Sequence, residues 1–171
     1  MNLFNKNEKN KTLHYGEIYH CWEHLNMAKS CMGKFSLLYN HTEDRDLKSL
    51  IEDMRTNLVN PEINKLEQVL LDNGIEIKNN TKERPKIKAS SIPTGARFSD
   101  MEIASCIAND IKQAMASSNM VVSISTNEDL AMFFSKHYNE LVKYGGKMLR
   151  LMKEKEWLAK PPLKTEKAEM V

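Results

Sequence analysis

GIEIKNNTKERPKIKASSIPTGARF, residues 74–98, is the long stretch in which no helical rhythm of apolar residues can be traced. Rich in Lys, Asn, Ser and Pro, it reads as a connector of some 25 residues. Extended at about 3.3 Å per residue, a connector of that length runs the full ~40 Å of a helical bundle. The helix that follows can then begin at the end opposite to where the preceding one stopped. The alternative, a plain up-down-up-down bundle, leaves so long a loop without a task.

Both flanks of the connector are helical by spacing. Upstream, Leu47, Ile51, Met54 and Leu58 lie one helical turn apart, and the pattern resumes out of phase at Ile63, Leu66 and Leu70. Asn60-Pro61 stands between the two halves, so this second helix is expected to kink or restart there, and Asn73-Gly74 supplies its stop. Before it, Ile18, Cys21/Trp22, Leu25, Ala28, Met32, Phe35 and Tyr39 form the inward stripe of a first helix over 14–40. Downstream, Ser99 and Glu102 make a capping box for a third helix over 100–124. A fourth begins at Thr126-Asn-Glu-Asp129, with Leu130, Phe134, His137, Leu141, Tyr144 and Met148 inward, and ends before Pro161-Pro162. Two hairpins joined by a long strap make an all-α four-helix bundle with one crossover between the second and third helices, the arrangement of ferritin-like bundles. The bundle is expected over 13–160, with flexible tails at 1–12 and 161–171.

The bulk composition agrees with a globular helical chain. Of 171 residues, 41% are apolar and 28% charged, and Gly and Pro number only 6 and 5. A net charge of +2 creates no field that calls for nucleic acid or anionic lipid as partner. The start of the chain lacks the apolar segment of a signal peptide, and no apolar run spans a membrane. Cys21 and Cys31 lie ten residues apart on one helix, about 15 Å, too far to bridge. A reduced, cytoplasmic protein is expected.

EIYHCWEH, residues 17–24, concentrates the chemistry. His20 to His24 fits an HxxEH zinc-peptidase pattern and Glu17 to His20 the ExxH of carboxylate-bridged di-metal bundles. The first needs a third ligand and a cleft; the second needs partners that the other helices do not supply as a full set. On helical angles Glu17 and His24 lie at the edge of the apolar stripe, His20 lies further round and Glu23 faces solvent. Glu17, three residues after His14, suits the capping-box position, and the histidines suit a helix–helix seam. His137, within the fourth helix's apolar stripe, needs a Tyr, Ser or Glu partner. Were a metal bound, zinc or iron, its ligands would come from Glu17, His20, His24, His137 and Glu140.

Four segments resemble a ferritin-like family of unknown function from bacilli, often labelled spore-coat-like. They are Glu17–Leu25, Asn60–Glu67, Gly74-Ile-Glu-Ile with Glu83-Arg-Pro85, and Ile92–Ala104. The resemblance covers roughly residues 13–162. It implies a four-helix ferritin-like fold and a place in or near the spore coat of a spore-forming bacterium, and it brings no enzyme activity with it. Two functions are therefore expected in competition: a non-catalytic structural or interaction protein, homodimeric or bound to coat-type protein partners, without a cofactor; and a metal-binding ferritin-like protein open to redox chemistry.

Overall fold

The computed structural model describes residues 12–77 and 84–159. The tails expected at 1–12 and 161–171, apart from Thr12, and the middle of the connector, 78–83, lie outside the described residues. The elements are α1 (Tyr15–His41), α2 (Arg45–Met54), a π-helical turn (Arg55–Val59), α3 (Asn60–Asp72), α4 (Asp100–Ile124) and α5 (Glu128–Glu154). Two short 3-10 turns, Ala89–Ser91 and Thr94–Ala96, interrupt the connector.

α2, the π-turn and α3 abut and form one rod. The stripe that resumes out of phase at Ile63 thus has a local cause. In place of a break at Asn60-Pro61, the ladder widens just before it, with the Asn60 N–H bonding the Arg55 carbonyl. One inserted residue makes Leu58 to Ile63 a step of five, and the apolar face continues. Pro61 sits in the first turn of α3, where its missing N–H costs little.

Contacts at the two ends fix the topology. The Leu13 amide bonds the Asn73 side chain at 3.0 Å, so α1 begins where α3 stops. The strap then travels back. Asn40 holds the Pro85 carbonyl and the Ile87 amide, Glu43 takes the Ala89 amide, and His41 takes the Phe98 amide. α4 therefore starts at the far end, beside Thr42, whose hydroxyl bonds Asp100. It returns to place Thr126 and Asn127 on Glu17. α5 ends with Lys155 between Asp44 and Asp46. This is the single-crossover bundle that the 74–98 stretch predicts, all-helical among the described residues.

The interior is two apolar layers. One gathers Phe35, Leu47, Ile51, Met54, Ile103, Ile107, Leu141 and Met148; the other gathers Leu13, Cys21, Leu25, Leu66, Leu70, Val121, Leu130 and Phe134. Each such side chain, withdrawn from water, contributes roughly 1.5–3 kcal/mol before its ordering entropy is counted. Near the boundary between the two layers every rod carries a polar side chain: His24, Glu62, Ser117 beside the fully buried Ser118, and His137. No helix among the described residues is long and apolar enough to cross a membrane.

Candidate functional site

The residues expected to act together divide among four places. Glu17 is fully buried and already engaged: it completes the capping box by accepting the His14 amide at 3.0 Å, and its other oxygen accepts the Thr126 and Asn127 amides at 2.8 and 2.9 Å. Burial pushes its carboxyl up, but these amides outweigh that and hold it below the ordinary Glu value. His20 lies further round α1 and pairs with Glu23 at 3.2 Å. Glu140 is exposed and pairs with Lys143, about 60° round α5 from His137.

His24 and His137 do converge. Both reach the same atom, Glu62 Oε1, with His24 Nδ1 at 3.3 Å and His137 Nε2 at 3.4 Å. The His24 ring also meets Ser117 Oγ at 2.7 Å through Nε2 and stands edge-on to Phe134. With Glu62 ionised, a neutral His24 donates from Nδ1 and accepts the Ser117 hydroxyl at Nε2. His137 Nε2 is close to Glu62 without hydrogen-bond alignment, and is buried without a hydrogen-bonding partner. Burial pushes the His137 imidazole below its usual value, opposed by the Glu62 charge, reinforced by His24 and opposed again by Glu140. Among the described residues, no three His, Cys, Asp or Glu side chains stand grouped to hold a metal ion as placed.

Glu17 and His24, expected at the edge of the stripe, are 1% exposed, while Trp22, expected inward, is 48% exposed. The reason is that α1 packs against both α3 and α4. Its buried arc spans two seams, the second on the polar side of the apolar stripe. Glu62 escaped the sequence reading altogether. Its signal is the four-residue series Leu58, Glu62, Leu66, Leu70, which places a carboxylate in the middle of an inward face.

Around this cluster lies a cavity of about 450 Å³, lined by all four rods. Its walls include Trp22, Met27, Phe35, Leu58, Ile111 and Leu141. At one level stand His24, Glu62 and His137; at another, Lys34 bonds Asp110 at 2.5 Å. Cys31, also lining, has its thiol pushed up to about 11 by burial and then by the Asp110 charge.

The model of a protein family of unknown function, DUF3231, matches residues 1–170. The chain belongs to the DUF3231 family. A relative described as uncharacterized protein YvdQ, from Bacillus subtilis strain 168, is 30% identical over 167 residues, 98% of each chain. A crystal structure described as that of a putative spore coat protein from Bacillus halodurans C-125 superposes with a TM-score of 0.87 at 35% identity. That match covers 91% of this chain and 97% of the other.

Proposed function

We propose that this DUF3231 protein is a non-catalytic structural or interaction protein of the spore-coat type, working in the cytoplasm or coat of a spore-forming cell as a homodimer. The observation that carries it is an aromatic ridge on the outer face of α1. Tyr15, Tyr19 and Trp22 are 92%, 54% and 48% exposed at helical spacing, with the Tyr19 and Trp22 rings 6.3 Å apart. Exposed apolar groups gathered in this way mark association surfaces. The outward positions 15, 19, 22 and 26 are Tyr, Tyr, Trp and Asn, so a second copy related by a two-fold axis meets no like charge along them. The similarity to the Bacillus halodurans protein supplies the coat setting. Light scattering on the purified chain tests the reading. Wild type is expected at twice the 19.7 kDa chain mass and Tyr19→Ser with Trp22→Ser at the monomer mass; a wild type that stays monomeric at 100 micromolar (order of magnitude set by weak dimers) defeats it.

A second reading, metal binding, is supported by the convergence of His24 and His137 on Glu62. A cation there would be held by His24 Nδ1, with the other ring nitrogen turned to donate to Ser117, as outer partners of metal-bound histidines do. It requires the rings to close on the carboxylate, and it leaves Glu17, His20 and Glu140 to their present partners. Zinc or iron titration of untagged protein, with His24→Ala and Glu62→Gln, separates the readings: metal bound one per chain and lost in both variants supports it, and no uptake removes it.

A further inference from the structure

We propose that the cavity between the four rods is a binding site for an elongated, uncharged, mainly apolar molecule carrying a hydroxyl group, of the class of a medium-chain alcohol. This does not rest on the dimer reading, and the two can fail separately.

Two features of the cavity point to a ligand. The first is that polar atoms of its lining lack protein partners. His137 Nε2 and Asp110 Oδ2 are both buried without one, and the His137 side chain is only 6% exposed. Native interiors satisfy nearly all such atoms, because each orphan costs roughly 1–3 kcal/mol. The second is size. A pocket of about 450 Å³, open to solvent at a rim that includes Asn26 and Gln113, falls within the range of small-molecule sites. The π-turn borders it through Leu58 and Val59, and such turns recur at binding sites.

The lining also specifies the ligand's charge. His24 and Lys34 are ten residues apart on α1, so the polar levels are separated by roughly 15 Å, with carbon walls between them. Asp110, ion-paired with Lys34, accepts at its free oxygen, whereas His137 Nε2 faces the Glu62 carboxylate and is the ring nitrogen suited to carry the proton, so one orphan asks for a donor and the other for an acceptor. A carboxylate head would face Glu62 and Asp110. An ammonium head at Asp110 would meet Lys34, already 2.5 Å from the other carboxylate oxygen. A hydroxyl donates or accepts without adding charge, and eight or so methylenes fill the apolar length.

The test compares 1-octanol, octanoate and octylamine, matched in chain length, by calorimetry on the full chain. Octanol is expected to bind one per chain and at least about tenfold tighter than either charged analogue, the factor a lost or opposed polar contact of about 1.4 kcal/mol gives. Ala114→Trp, which fills the cavity, is expected to abolish binding; should it fail to fold, Trp157→Phe leaves Trp22 at the cavity wall as the sole indole, and its emission is expected to shift on adding octanol. Octanoate or octylamine binding as tightly as octanol overturns the proposal. So does undiminished octanol binding to folded Ala114→Trp, or a Trp22 emission indifferent to octanol.

Discussion

Replacing Glu17 by Gln removes one negative charge while keeping the side chain's shape, and the structure lets the consequence be worked out. One oxygen accepts the Thr126 and Asn127 amides and lies 3.3 Å from the Thr126 hydroxyl; the other accepts the His14 amide. In Gln one oxygen becomes an NH₂ group. If that group faces His14, two donors meet and a buried amide goes unpaired, a loss of roughly 1–3 kcal/mol. The bonds that survive lose their charge assistance, about 1 kcal/mol each. The total is about 3–5 kcal/mol, which for a chain of this size lowers the melting temperature by roughly 6–20 °C. The pH dependence carries a definite sign. Because the folded carboxyl is held below its ordinary value, its stabilisation is present above the unfolded pKa of about 4.3 and is lost as pH falls through the folded value. Urea denaturation followed by circular dichroism at pH 7 and at pH 3 should therefore show a gap between wild type and Glu17→Gln that narrows in acid. A gap below about 1 kcal/mol at pH 7, or one that widens in acid, would refute the argument that this carboxylate ties α1 to the α4–α5 turn.

Three further outcomes follow from the packing. Ser117→Ala strips His24 Nε2 of its 2.7 Å partner and is expected to cost about 1–3 kcal/mol in the same urea assay, more than a surface Ser→Ala change. Deleting Thr56 removes the one residue that the π-turn absorbs, so the rod is expected to run on as regular α-helix with Leu66 and Leu70 still inward and a cooperative unfolding transition retained, as urea titration followed by circular dichroism would read. The Cys21 and Cys31 thiols, pushed up to about 12 and about 11 chiefly by burial, should react with iodoacetamide at pH 8 far more slowly than in urea, as peptide mass spectrometry would read.

The rods were legible because their apolar residues repeat at a period that only a helix satisfies. Leu47, Ile51, Met54 and Leu58 are all buried, and Ser99 with Glu102 caps α4 as its spacing requires. The strap was legible for the opposite reason, since 74–98 carries no such period. Local pattern also found the His14 and Glu17 capping box. It could not find Glu17's second task, because Thr126 is 109 residues away. It placed Trp22 inward because a stripe has one centre, whereas α1 serves two neighbours. Among the candidate site residues, His137 was legible as inward-facing and His24 only as a residue at the edge of its stripe, while the group they share, Glu62, was passed over because a carboxylate breaks the apolar series Leu58, Leu66, Leu70 in which it stands. Which acid meets which base across a bundle depends on how the rods are rotated, and no single rod's sequence contains that rotation.

Asn40, His41 and Glu43 grip the strap by its peptide groups, taking a carbonyl from Pro85 and amides from Ile87, Ala89 and Phe98. Nearly all of the strap's own side chains between 84 and 98 project into solvent. Its route is thus written in three residues of the first hairpin and hardly at all in its own letters. Replacing the exposed side chains between 84 and 98 therefore leaves the crossover where it is, because the grip is on the main chain.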